Sequence, residues 1–399
     1  MGKILQLAPY PIRRPLHGGQ HRVRAIRDRL VAEGHTVRTV SVVVEGFYPG
    51  EDHDSHTVVV PRESLQALAI PPDCYDLGLN RLLKTDATLL QSVRAAVGRF
   101  VPDVIVLEQP WLQPVVEHIG PDVPLVYSSQ NVESTLKRAI LREQAAVRPA
   151  IAEVLVAEIE AVELATASAA DLVVTVSDED ATWYSRAAGN VVVAKNGASI
   201  RKAVPAIVQE WRTATRDVRI ALFVGSSHPP NADGFWQMLG PSLGFLPPTA
   251  RIVVVGGVCS TLLSHPLSRF APASNAARLD LLGSQTEGAL GALFEVADCI
   301  VLPIVAGGGT NLKTAEALLS RKTLIATTKA LRGFEQFAVS DGVVVADSAE
   351  DFRRATLHAL TTADRFNECE RPEAKQLFWE STLEPFTTAI RQLPARSTR

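Results

Sequence analysis

The segment VLPIVAGGGTNLKTAE, residues 301–316, runs from an apolar strand ending at Leu302 through three glycines into a helix. Gly307, Gly308 and Gly309 let backbone approach a ligand closely, and a helix N-terminus aims free N–H groups at it. Thr310 is placed to cap that helix, which opens near Thr310 or Asn311 and continues through Leu312. Lys313 then falls in the first turn, where the helix dipole disfavours a cation. A bound phosphate would account for that placement. Glu316 lies one turn further on the same face, where a carboxylate can bond the two hydroxyls of a ribose. The plainer alternative is a capped helix with a Lys313–Glu316 pair, worth a few tenths of a kcal/mol. Such a pair needs no triple glycine in front of it. The loop is not a Walker A motif, because no GKS or GKT follows, and it is not GxGxxG after a first strand. A nicotinamide cofactor is therefore not expected.

The same strand–loop–helix grammar extends in both directions. Upstream in the second half, buried strands are expected at 218–224, 252–255 and 278–282, with 299–302 leading into the glycine loop. Downstream, 323–326 and 343–346 complete the set. Helices are expected near 231–240, 286–297, 311–321 and 349–362. The first half repeats the pattern. Strands are expected at 3–8, 36–44, 104–107, 124–127, 171–176 and 191–194. A helix near 20–33 carries Val23, Ile26, Leu30 and Val31 on one face and ends at Gly34. The Ala- and Glu-rich stretch 134–168 is expected to be helical. Alternating βα units with apolar strands imply parallel sheets covered on both faces. Two such runs imply two doubly wound Rossmann-like α/β domains. The polar stretch 198–217 reads as the linker.

The length of 399 residues suits two domains. Hydrophobic residues make up 46% and charged residues 21%, which excludes a disordered or fibrous chain. With 40 Lys and Arg against 43 Asp and Glu, the net charge of −3 gives no reason to expect a nucleic-acid partner. Cys74, Cys259, Cys299 and Cys369 stand far apart, without CxxC, which argues against a disulfide framework or zinc site and suits a reducing compartment. The N-terminus does not read as a signal peptide, and no apolar run reaches the length of a membrane span. A soluble, cytoplasmic protein is expected.

Further candidates flank the early strands. Gly18 and Gly19 precede the helix near Gln20, so their amides would meet a diphosphate or an acceptor; a loop needing positive φ is the competing explanation. Arg13, Arg14, His17, His21, Arg22, Arg24, Arg27 and Arg29 make this region basic. An anionic lipid-linked acceptor or the inner membrane surface would suit it, against the simpler expectation of a solvated helix face. Gln130 and Asn131 lie just past the 124–127 strand, at the sheet edge where ligands bind. Asn131 or Ser134 could instead cap the following helix. Asp178, Glu179 and Asp180 follow Ser177 and read as dipole compensation rather than a metal site. Trp379 and Phe386 are expected to be apolar anchors near the end.

Gly307-Gly308-Gly309-Thr310-Asn311-Leu312-Lys313, with Glu316-Ala317-Leu318, resembles the donor-site signature of family 4 (group 1) glycosyltransferases of the GT-B fold. The bacterial GGGTxxK sugar-transferase branch is the most similar. Phe223-Val224-Gly225-Ser226 with Pro230-Asn231, Asp298, Ala326-Thr327, Gly333, Gly18-Gly19, Gln130 to Ser134, Ala170-Asp171 through Ser177, and Asn196-Gly197 are similar to further family landmarks in the same order. The resemblance implies two Rossmann-like domains facing across a cleft. Residues 1–200, with a returning helix about 376–399, would bind the acceptor, and 201–375 the nucleotide sugar. It implies donor contacts from Gly225, Ser226 and the segment from Gly307 to Leu312, and catalytic roles for Lys313 and Glu316. The diphosphate or acceptor would meet Gly18 and Gly19. Gln130, Asn131 and Glu133 would meet the acceptor or the donor sugar. It further implies transfer to an acceptor hydroxyl of a glycan or lipid-linked sugar with retention, from a nucleotide-sugar substrate and with no further cofactor; no DxD sits at a strand end in the right place, so no catalytic metal is expected. The chain departs from the family pattern in three places. Gly308 replaces the first of two glutamates, Ser226-Ser227-His228-Pro229 replaces an Arg/Lys pair, and Gln130 replaces a His. Two further possibilities are a GT-B sugar-nucleotide epimerase and an inactive glycosyltransferase-like partner protein.

Overall fold

The computed structural model describes residues 2–120, 122–143, 147–306, 311–362 and 368–393. Gly307, Gly308, Gly309 and Thr310 lie outside the described residues. The chain divides into two compact units, Met1–Lys195 with Thr382–Arg399, and Asn196–Ser381.

Unit 1 is built on seven parallel strands: β1 (Lys3–Ala8), β2 (Thr36–Val44), β3 (Thr57–Val60), β4 (Val104–Glu108), β5 (Leu125–Ser128), β6 (Leu172–Thr175) and β7 (Val191–Val193). Their order in the sheet is β3-β2-β1-β4-β5-β6-β7. Most strands fall where the apolar runs place them. β3, four residues at the sheet edge, has no counterpart among the expected strands. The Ala- and Glu-rich stretch forms two helices, Glu133–Glu143 and Pro149–Ala169, rather than one. The helix after β1 spans Gly18–Ala32, two residues earlier than expected. Its buried residues include Val23, Ile26 and Leu30, but Val31 is 51% exposed and leaves the apolar face. The Glu384–Gln392 helix returns to this unit and buries Phe386 and Ile390. Trp379 belongs to unit 2 and is only partly buried, outside every core cluster among the described residues, so of the two expected anchors only Phe386 is one.

Unit 2 carries β8 (Arg219–Val224), β9 (Ala250–Val255), β10 (Leu279–Leu281), β11 (Cys299–Leu302), β12 (Thr323–Ala326) and β13 (Val343–Val345). The order β10-β9-β8-β11-β12-β13 is parallel throughout. Renumbered within the unit it reads 3-2-1-4-5-6, the order of dinucleotide-binding sheets. β11 shows why both faces are covered. Ile300 and Leu302 enter one apolar cluster, and Cys299 and Val301 the other, as a period of two requires. β10 and β13 are only partly buried, against the expectation of fully buried strands, because each has a neighbour on one side alone.

The expected linker 198–217 lies wholly within unit 2. Residues Pro205–Ala214 form a helix with Val208 buried. Trp211 packs on the same core cluster, and Ala198 bridges to Phe378 in the sheet sense. Charges on its outer face hide a buried apolar stripe, which is why composition alone misassigns it.

Candidate functional site

In unit 2 the connections leaving β8 and β11 begin at adjacent strands where the strand order reverses. Ligands of doubly wound sheets bind at this switch point, beyond the carboxyl ends of the strands. After β8 the chain runs Gly225-Ser226-Ser227-His228 and enters the helix Pro229–Leu239. Gly256, at φ +101°, lies so close that a Cβ there would sit 2.3 Å from the Gly225 carbonyl oxygen. The connections after β8 and β9 are thereby pressed together, and Val258 N–H donates to that same carbonyl at 3.2 Å.

Asn231 joins the β8 and β11 connections. Its Nδ2 donates to the Ser226 carbonyl oxygen at 2.9 Å and to Ser226 Oγ at 3.3 Å. Its Oδ1 accepts from Lys313 Nζ at 2.6 Å. The sequence reading quoted Asn231 as a landmark and gave it no role. Its place in the first turn of the Pro229–Leu239 helix was the available signal.

The helix after β11 spans Leu312–Leu319. The cap position is Asn311, in extended conformation, with no side-chain cap bond, and Thr310 lies outside the described residues. Lys313 remains in the first turn, as expected. Burial pushes its ammonium down to about 8, while the Glu316 carboxylate acts in the opposite direction. The Lys313–Glu316 pair of the plainer alternative is not the one formed. Lys313 turns to Asn231, and Glu316 accepts from Arg201 Nη2. Burial pushes the Glu316 carboxyl up, and Arg201 pulls it back. Arg201 also donates to Glu287 at 2.6 Å through Nη1. Nothing local in the sequence marks Arg201, which reaches Glu316 across 115 positions of chain.

In unit 1 the structure brings Gly19, Gln130 and Tyr10 together. A Cβ on Gly19 would lie 2.5 Å from Gln130 Oε1 and 2.7 Å from the Tyr10 hydroxyl. Gly18 and Gly19 do not have positive φ; they open the helix, and Gly19 is small because of this close approach. Gln130 Nε2 donates to the Tyr10 hydroxyl. Tyr10 meets the edge of His17 at 5.0 Å, and His17 Nε2 is 3.2 Å from the Tyr48 hydroxyl. Burial, with His21 nearby, pushes His17 down to about 4, so it is neutral near pH 7.

Asn131 Nδ2 donates to Glu133 Oε1 at 3.3 Å. Burial pushes Glu133 up to about 8, against the pull of Lys137. Neither Asn131 nor Ser134 caps the Glu133–Glu143 helix. The Glu163 carboxylate, from the next helix, accepts from the Glu133 and Ser134 amides at 2.6 and 2.9 Å. The basic region is also rearranged. Arg22 is 1% exposed and reaches the Lys195 carbonyl, so it leaves the solvated face. Arg24 and Arg27 pair with Asp28, and Arg29 with Glu33. Ser177 caps its helix by accepting from Asp180 N–H, with Asp178, Glu179 and Asp180 in the first turn. Among the described residues no group of three or more His, Cys, Asp or Glu could hold a metal ion. Among them, too, no helix is long and apolar enough to cross a membrane.

No protein-family model matches the chain, and no curated protein matches it. Solved structures do. Sucrose-phosphate synthase from Thermosynechococcus elongatus is 16% identical, with 98% of this chain and 99% of that one covered at a TM-score of 0.70. Anabaena Alr3699/HepE, solved in complex with UDP and glucose, is 16% identical over 98% and 100% at a TM-score of 0.66. WaaG, a glycosyltransferase involved in lipopolysaccharide biosynthesis, is 15% identical over 95% and 94% at 0.58. The chain has their fold, two parallel-sheet α/β domains of the GT-B class.

Proposed function

We propose that this chain is a glycosyltransferase that moves a sugar from a nucleotide-sugar donor to an acceptor hydroxyl. The observation that carries the reading is Lys313. An ammonium is held in the first turn of a helix at the switch point of unit 2, partly buried and tied through Asn231 to the Ser226 loop. A cation in that position opposes the helix dipole, and a diphosphate resting between both would relieve the conflict. The fold it shares with Alr3699/HepE, solved with UDP and glucose, supports the same choice.

In this reading unit 2 holds the donor through Gly225, Ser226, Asn311, Leu312 and Lys313, with the segment from Gly307 to Thr310, and Glu316 takes the ribose. Unit 1 takes the acceptor near Gly18, Gly19, Gln130, Asn131 and Glu133. Membership of family 4, in the GGGTxxK branch, and an acceptor that is a glycan or lipid-linked sugar belong to the same proposal. So does retention. The acceptor oxygen bonds to the anomeric carbon on the face from which the diphosphate leaves, and the hydroxyl proton passes to the departing phosphate oxygen. The chain's own task is then to stabilise growing negative charge on the leaving group.

Calorimetry with uridine, guanosine, adenosine and thymidine diphosphate sugars tests the reading. One nucleotide class should bind, and product analysis with acceptor sugars should show transfer. Failure of all four to bind would end it. Turnover should survive EDTA; loss of activity restored by Mg²⁺ or Mn²⁺ would show that the diphosphate is held differently.

Donor affinity should also depend on pH through Lys313. In the free protein this side chain loses its proton around pH 8, whereas a bound diphosphate favours the ammonium. Binding near pH 8 therefore takes up a proton. Affinity should be flat below about pH 7 and weaken by up to about tenfold per pH unit above 8. Glu133 titrates in the same range, so the assignment rests on Lys313→Ala flattening the profile. A profile unchanged in that variant would remove Lys313 as its source.

A further inference from the structure

Glu316 is held from outside its own helix. Arg201 lies in the stretch before the Pro205–Ala214 helix, and this stretch presses against the helix Glu287–Val296. Gly291 makes the approach possible: a Cβ there would lie 2.8 Å from the Lys202 carbonyl group. Gly288 does the same one turn earlier, where a Cβ would lie 2.5 Å from Val204 Cγ2. The backbone is thus seated so that the guanidinium of Arg201, only 12% exposed, spans Glu287 and Glu316. Burial alone would pull the guanidinium down, and the two carboxylates more than reverse that. A cavity of about 230 Å³ opens beside the pair, with Phe294 and Leu319 among its walls.

We propose that Arg201 is a positioning residue for nucleotide recognition, fixing the Glu316 carboxylate through Oε1 and leaving Oε2 for the ribose hydroxyls. The proposal rests on the donor reading above. Among the described residues Glu316 Oε2 carries no hydrogen bond, while Oε1 is taken by Arg201. A carboxylate has lone pairs enough for both tasks, and the planar guanidinium spans Glu316 through Nη2 and Glu287 through Nη1, a fixed geometry that a compact ammonium does not reproduce. The charged groups facing Glu316 are Arg201 from the preceding stretch, Glu287 from the Glu287–Val296 helix and Lys313 from its own helix. The other charges around the cavity are engaged elsewhere: Arg321 with Glu368, and Lys322 with the Glu295 carbonyl. Of the two cations facing Glu316, Lys313 donates to Asn231 and Arg201 donates to the carboxylate itself. Without Arg201, burial beside Glu287 favours the protonated carboxyl, which accepts ribose hydroxyls poorly.

The test compares wild type with Arg201→Gln and Arg201→Lys. Calorimetry uses whichever of UDP, ADP and GDP binds, together with its 2′,3′-dideoxy analogue, from about pH 5 to 8. Wild type should prefer the ribonucleotide by about tenfold or more. Arg201→Gln should lose most of that preference and recover part of it as pH rises and Glu316 ionises. Arg201→Lys, with no planar fork, should keep an intermediate preference, and it carries the test if Arg201→Gln does not fold. A folded Arg201 variant with the wild-type preference at every pH would overturn the proposal while the donor reading stands. If wild type binds the nucleotide without discriminating the dideoxy analogue, the proposal falls together with the place of Glu316 at the ribose, while nucleotide binding by unit 2 stands. If wild type binds none of the three diphosphates the proposal falls, and the donor reading falls with it when the thymidine diphosphate sugar fails to bind as well.

Discussion

Lys313→Ala should lower kcat on the order of 100-fold while weakening the unreacted donor less. If the donor binds as proposed, the diphosphate is already partly satisfied in the ground state by backbone amides at the start of the Leu312–Leu319 helix. As the glycosidic bond breaks, charge grows on the leaving oxygen, and an ammonium aimed there gains strength with it. Only such differential stabilisation speeds the chemical step. No Arg or Lys follows β8 in the loop 225–228 to take over. The bond to Asn231 Oδ1 adds a second effect, because it sets where the ammonium waits. Asn231→Ala should therefore reproduce part of the loss with Lys313 intact. Lys313→Arg should rescue poorly, since a planar guanidinium does not replace a compact point charge. Steady-state kinetics, with circular dichroism to confirm folding, make the check. A rise in KM with kcat unchanged would reduce Lys313 to a donor-holding residue.

Glu316→Ala should weaken nucleotide-sugar binding by about 1.5–3 kcal/mol, the worth of a hydrogen bond to a charged acceptor. The truncation also takes from Arg201 one of its two carboxylate partners. A buried charge losing its partner destabilises the fold, so a thermal melt must accompany the titration. Glu316→Gln separates the effects. It keeps an acceptor oxygen for the ribose and removes the charge that Arg201 holds. Binding close to wild type in Gln, with a large loss in Ala, would assign the interaction to hydrogen bonding rather than charge. Unchanged affinity in a folded Glu316→Ala protein would remove Glu316 from the site.

Candidate residues and their partners divide by distance along the chain. Lys313 and Glu316 are legible because glycines, first turn and carboxylate fall within ten residues. Asn231 is 82 positions from Lys313 and Arg201 is 115 from Glu316, so no local pattern joins them. The same holds for Glu163, which caps the Glu133–Glu143 helix from 29 and 30 positions away. Local capping candidates were present at Asn131 and Ser134, and a carboxylate delivered by packing took the amides instead. Arg22 shows the converse. Its helix position suits solvent, yet the fold buries it.

The sequence by itself determined two runs of alternating buried strands and amphipathic helices, and hence two doubly wound parallel sheets. Side-chain periodicity is a local property and survives without coordinates. It also placed a cation and a carboxylate at a helix start after a glycine loop. Only the tertiary structure decided that β8 and β11 lie side by side, that Asn231 ties their connections together, and that Arg201 rather than Lys313 holds Glu316. Each of those is a choice among partners far apart in the chain. Burial makes the choice by requiring every desolvated polar group to find whichever partner packing brings within reach.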